Sequence, residues 1–149
     1  TVDRTWGTTS VDSLKYCIFC VSFSDTIYLH ATDGQDAILR CQSTSSSPVS
    51  YLSWETRARE KVFYSSKGVV YNSVQNAKFR GRVSLLSPSM TNGTGSLIIR
   101  NISLADAGLY RCVISAGENA VVMQNNVITF EEHSTAHSPP LDLLKAARS

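Results

Sequence analysis

The stretch that decides the fold is Asp106-Ala107-Gly108-Leu109-Tyr110-Arg111-Cys112. Cys112 can cross-link to a distant cysteine. Tyr110, two residues earlier, shares its face of a strand, because strand side chains alternate. The Tyr110 ring can pack inside while its hydroxyl bonds back to the backbone at a strand corner. Gly108 permits the tight backbone approach that opens such a strand. Asp106 is a short acceptor, able to cap the preceding turn and to pair with an arginine.

Working outward, the chain is a series of short alternating runs. Strands are expected at Thr26–Ala31, with Ile27, Leu29 and Ala31 on one face, and at Asp36–Gln42, with Ala37, Leu39 and Cys41 inward. Tyr51–Arg57 should point Leu52 and Trp54 to the core and Tyr51, Ser53 and Glu55 outward. Lys61–Ser65 and Val69–Tyr71 follow as two short strands; on the first, either Phe63 or the Val62/Tyr64 pair faces out. Val83 and Leu85 alternate in the next, and Ser96–Arg100 places Leu97 and Ile99 inward. Leu109–Ser115 turns Tyr110, Cys112 and Ile114 in and Arg111, Val113 and Ser115 out. Val121–Glu131 ends the series, with Ile128 and Phe130 inward; Met123 faces out there unless a bulge reverses the parity. About nine short strands with turn signals between them define an all-β sandwich.

At 149 residues the chain holds one domain plus tails. The net charge of +2 is spread along the sequence, which gives no reason to expect nucleic acid. The run Arg57-Ala58-Arg59-Glu60-Lys61 is read as a solvated turn. Four cysteines and two N-x-S/T sequons, at Asn92 and Asn101, point to the secretory pathway and mark both asparagines as glycosylation candidates. Without about 20 consecutive apolar residues, nothing in this sequence spans a membrane.

Residues 1–24 are expected to be a leader or disordered segment. Their apolar run at Tyr16–Phe23 fits a signal-peptide remnant or an N-terminal strand. Cys17-x-x-Cys20 lacks the βαβ context of a redox motif and the second ligand pair of a zinc site, leaving idle thiols, a cleaved leader or an intermolecular bridge. Residues 132–149, with Pro139-Pro140, are expected to be a stalk or tail. His30, His133 and His137 are the only histidines, and no nucleophile elbow, HExxH or phosphate loop occurs. We therefore expect no enzyme, no cofactor, no metal and no small-molecule substrate.

The heptapeptide resembles the D-x-G-x-Y-x-C signature of immunoglobulin superfamily domains. The long interval from Trp54 to Cys112 leaves room for the two extra strands of the variable type, a Greek-key sandwich of about nine antiparallel strands. The resemblance covers residues 25–131. It implies a Cys41–Cys112 disulfide, a buried Trp54, thirteen positions after Cys41, and a salt bridge between Arg82 and Asp106. The bridge would close a loop of about 70 residues, worth roughly 4 kcal/mol. Phe79-Arg80-Gly81-Arg82-Val83-Ser84-Leu85, Gly95-Ser96-Leu97-Ile98-Ile99-Arg100-Asn101-Ile102 and Asp106-Ala107-Gly108 are together most similar to the B7 and butyrophilin-like group. The last strand lacks the F-G-x-G-T of antigen-receptor domains, which argues against an antibody or T-cell-receptor chain.

A variable-type domain offers its loop end and the flat outer face of one sheet for recognition. The loops here are short and rich in small residues, whereas binding hot spots favour Tyr, Trp and Arg. The sheet face, with Tyr51, Ser53, Glu55, Arg111, Val113 and Met123, is the better candidate. The resemblance implies an extracellular domain that binds a protein receptor or counter-ligand on another cell, in immune regulation. Homophilic adhesion, including a homodimer, and a secreted innate recognition module are the alternatives.

Overall fold

The computed structural model describes residues 21–23, 25–117 and 121–130; for Val21–Phe23 it describes the backbone alone. Residues 1–20, 24, 118–120 and 131–149, and with them Cys17, Cys20, most of the expected leader and the expected 132–149 tail, lie outside the described residues. Among the described residues ten strands form two layers. They are β1 (Val21–Phe23), β2 (Ile27–Ala31), β3 (Ala37–Leu39), β4 (Val49–Thr56), β5 (Lys61–Ser66), β6 (Val69–Val70), β7 (Val83–Leu85), β8 (Leu97–Ile99), β9 (Gly108–Ala116) and β10 (Val121–Phe130). One sheet has seven strands in the order β1-β10-β9-β4-β5-β6, with β2 also paired to β10; the other is β3-β8-β7.

The alternation of β9 and β10 sets the layers. Along β9, Tyr110, Cys112, Ile114 and Ala116 are buried and Arg111 is exposed; along β10, Val122, Gln124, Asn126 and Ile128 are buried. The pairing of β10 with β9 runs from Val121 opposite Ser115 to Ile128 opposite Gly108 without a register shift. The inward residues meet Leu39, Leu97 and Ile99 of the small sheet, all fully buried. Cys41 and Cys112 are joined by a disulfide across the layers, with Cα atoms 6.3 Å apart. Trp54 is wholly buried, and its indole N–H donates to the Gly95 carbonyl at 2.8 Å. A β-carbon at Gly95 would fall 2.6 Å from Leu52 Cδ1 and 2.9 Å from Ile114 Cδ1, so only glycine lets β8 approach this packed layer.

Three expectations need correction. The strands are not all antiparallel: β1 and β2 run parallel to β10. β1 matches the N-terminal strand offered as one reading of Tyr16–Phe23, and on β2 Ile27 is exposed while Ala31 is buried. The second strand ends at Leu39 rather than Gln42. Beyond it the backbone of Arg40 is held by the side chain of Asn126, which accepts from Arg40 N–H and donates to Arg40 C=O, both at 2.9 Å. On β5 a register shift opposite Trp54/Glu55 turns Val62 and Phe63 both into the core, so neither sequence alternative for that strand holds as stated.

One end of the sandwich is closed by a polar lock. The single-turn helix Leu104–Asp106 precedes β9, and Asp106 is 2% exposed. Its carboxylate takes both Arg82 Nη1 (3.2 Å) and Nη2 (2.7 Å), and also accepts from the backbone N–H of Ser103 at 3.0 Å. The Tyr110 hydroxyl donates to the Asp106 carbonyl at 2.7 Å. Burial, and then the Asp106 carboxylate, hold that hydroxyl protonated far above the ordinary phenol range. A second single-turn helix, Ala77–Phe79, drops Phe79 edge-on against Tyr110, with ring centroids 6.2 Å apart.

Candidate recognition face

Cross-strand pairing turns the outer face of the seven-stranded sheet into rows. One row runs Val121, Ser115, Tyr51, Ser66; the next Met123, Val113, Ser53, Tyr64; the third Asn125, Arg111, Glu55, Lys61. Residues directly opposite on antiparallel strands point to the same face. The structure therefore gathers Tyr51, Ser53, Glu55, Arg111, Val113 and Met123 on one surface about four strands wide.

Exposure separates these residues. Tyr51, Glu55, Val113 and Met123 are half-buried and Arg111 is exposed. Ser53 is a correction: it lies on this face but is only 5% exposed, because Lys61 reaches over it from β5 and donates to its hydroxyl at 2.7 Å. The same ammonium pairs with Glu55 at 2.9 Å and stands 5.1 Å above the Tyr64 ring. Such a cation–π contact is worth about 0.5–1 kcal/mol at an accessible site. Arg111 sits between Asn125 and Glu55, yet the Glu55 carboxylate is occupied by Lys61. Among the described residues no carboxylate lies within ion-pair distance of Arg111.

Three residues of the face were not among its sequence candidates, although Tyr64 was one of the outward alternatives on its strand. Tyr64 stands edge-on to Tyr51 at 5.6 Å, and Tyr71 meets Tyr64 at 5.5 Å. These rings form a line from β4 across β5 to the residue after β6, ending beside the exposed Val69 and Val70. Lys61 is the third. The register shift on β5 is what brings Lys61, three residues before Tyr64, onto the same outer face opposite Glu55, and period-two alternation does not reveal it. The Lys61-Val62-Phe63-Tyr64 run, with two adjacent apolar residues followed by an aromatic, was the available signal.

At the end beside the polar lock, a hollow of about 310 Å³ opens between the β4–β5 turn and Ala105–Tyr110. Arg57, Glu60 and Lys78 stand on it, and Lys78 pairs with Glu60 at 3.3 Å. Among the described residues no cluster of three His, Cys, Asp or Glu side chains is placed to hold a metal ion. No helix among them is long and apolar enough to cross a membrane.

Two disulfide-joined β layers, a buried tryptophan, a tyrosine-capped corner and a broad, partly apolar sheet face define an immunoglobulin-type recognition domain of the variable class. The chain matches the family described as "Immunoglobulin V-set domain" over residues 25–131 and belongs to that family, with similarity to its B7/butyrophilin-type domains. Butyrophilin subfamily 1 member A1 of Bos taurus is 35% identical over 94 residues, covering 60% of this chain and 18% of that protein. HERV-H LTR-associating protein 2 of Homo sapiens is 29% identical over 122 residues, 82% of this chain and 28% of its own length. The chain thus spans less than a third of these curated relatives. The solved human B7-H4 IgV-like domain superposes with a TM-score of 0.56 at 25% identity, covering 76% of this chain and 94% of that one. Bovine butyrophilin gives 0.57 at 25% identity, covering 74% and 52%. The V-set fold is typical of recognition proteins rather than enzymes.

Proposed function

We propose that this domain works outside the cell and binds a protein receptor on another cell through the outer face of its seven-stranded sheet, in immune-cell regulation. The observation that carries the reading is the composition of that face. The Tyr51–Tyr64–Tyr71 line and the Val113/Met123 pair form an apolar centre, flanked by Arg111 and the Glu55–Lys61 pair. Aromatic and arginine anchors inside a polar rim are what transient protein interfaces use. The Cys41–Cys112 bridge supports an oxidising, extracellular setting.

The test is staining of a leukocyte panel with fluorescent tetramers of the domain. Arg111→Glu and Tyr64→Ala should each abolish staining, while the melting temperature of Arg111→Glu stays at the parent value. Parent-level staining by both variants would refute the assignment of this face.

A second reading is homophilic adhesion. Junctional adhesion molecule B of Homo sapiens, 28% identical over 102 residues, and myelin protein P0 of Heterodontus francisci, 30% identical over 115 residues, are also among the relatives. Sedimentation velocity separates the two readings. Concentration-dependent self-association, lost in Arg111→Glu, favours adhesion; a monomer that stains cells favours the receptor.

A further inference from the structure

We propose that Asn92 and Asn101 both carry N-linked glycans, and that these two glycans bracket the three-stranded sheet and leave the outer face of the seven-stranded sheet bare. The two sequons are the only N-x-S/T triplets in the chain. In both the geometry is alike. Each asparagine is exposed and lies in the left-handed backbone region, with φ of 60° at Asn92 and 53° at Asn101, so it caps a tight turn. Each middle residue is buried: Gly93 against the Ser45 carbonyl, where a β-carbon would fall 1.9 Å away, and Ile102 fully inside. Each triplet is thus anchored by its centre while the asparagine projects into solvent. Among the described residues neither side-chain amide nitrogen donates a hydrogen bond.

The two sites lie at opposite ends of the small sheet. The Asn92 carbonyl accepts from Gln42 Nε2 at 2.9 Å, past the end of β3. The Asn101 backbone N–H donates to Asp36 Oδ1 at 3.1 Å, just ahead of its start. Between them the small sheet shows the paired Ile38 and Ile98 to the outside, Ile38 being 38% exposed. A glycan is a bulky, solubilising surface group, and two of them here would overhang that apolar pair. No triplet falls on the rows of the recognition face. The modification forms a bond from the asparagine Nδ2 to the anomeric carbon of a polyprenyl-pyrophosphate-linked oligosaccharide. The anomeric C–O bond breaks, the lipid pyrophosphate leaves, and the amide gives up one proton.

Positive φ is also a position asparagine fills for backbone reasons alone, so the experiment must separate the two causes. The chain is secreted from a eukaryotic host and released with peptide-N-glycosidase in ¹⁸O-water, which converts each glycosylated asparagine to labelled aspartate. Peptide mapping should show label at Asn92 and at Asn101. Asn92→Gly and Asn101→Gly keep the turns, and Thr94→Ala keeps Asn92; each should lose label at its own site alone. An unlabelled asparagine at either site in the parent chain would overturn the assignment. Hydroxyl-radical footprinting before and after deglycosylation tests the placement. Oxidation of Ile38 should rise on deglycosylation, while that of Tyr51, Tyr64 and Met123 stays constant. A rise at the tyrosines with none at Ile38 would overturn the bracketing. Neither readout depends on a receptor, so it can fail without touching the proposed function.

Discussion

Removing Arg82 should harm the domain more than neutralising Asp106, although the two form one ion pair. The asymmetry follows from burial. The Asp106 side chain is 2% exposed and the Arg82 side chain 26%. Arg82→Met takes away both guanidinium donors at 3.2 and 2.7 Å and strands a buried carboxylate with the Ser103 N–H as its remaining donor. Breaking a buried pair in this way costs about 3–5 kcal/mol. Asp106→Asn keeps an acceptor for the Ser103 N–H, and the partly exposed guanidinium can turn to water, so about 1–2 kcal/mol is expected. The double variant should cost less than the sum, with a coupling of about 1–3 kcal/mol. For a domain near 100 residues, 3 kcal/mol lowers Tm on the order of 12–24 °C. Urea unfolding of the four oxidised proteins, with m-values compared, supplies the cycle. If Asp106→Asn proves as damaging as Arg82→Met, or the two add without coupling, the buried-charge argument is wrong.

Replacing Cys41 and Cys112 by alanine together should cost about 4 kcal/mol and collapse the yield of secreted protein; normal secretion would contradict the bridge. Gly95→Ala should cost about 1–3 kcal/mol through overpacking against Leu52 and Ile114, read as a fall in urea midpoint. Asn126→Ala should cost about 2–3 kcal/mol, because the Arg40 N–H and C=O both lose their partner; amide exchange at Arg40 should accelerate with it.

What the sequence made legible were features whose physics is local. Tyr110, Cys112 and Ile114 share a face because the period of a strand is two, and Gly108 marks where that strand opens. The same alternation orders Tyr51, Arg111, Val113 and Met123, since β10 meets β9 without a shift. What stayed hidden depends on neighbours distant in the chain. The irregularity that turns Val62 and Phe63 both inward is visible only once β5 is paired with β4. Ser53 lost its exposure to a lysine eight residues away, through a side chain long enough to lie across it. The apolar run at Tyr16–Phe23 allowed a strand at Val21–Phe23, but its parallel pairing, and that of β2, with a partner about 100 residues downstream is announced by no local pattern.

Those two N-terminal segments have a colloidal consequence. An open sheet margin is a template on which foreign chains can polymerise. Along β10 that margin is already taken: β1 covers Val121–Met123, β2 covers Asn126–Phe130, and Gln124 Nε2 ties the gap to the Asp25 carbonyl at 2.6 Å. The opposite margin is β6, two residues long and preceded by Lys67-Gly68. A truncation that begins after Asp25 should therefore shorten the shelf life of concentrated stocks, through fibril seeding along β10, well before it lowers the temperature at which the fold melts.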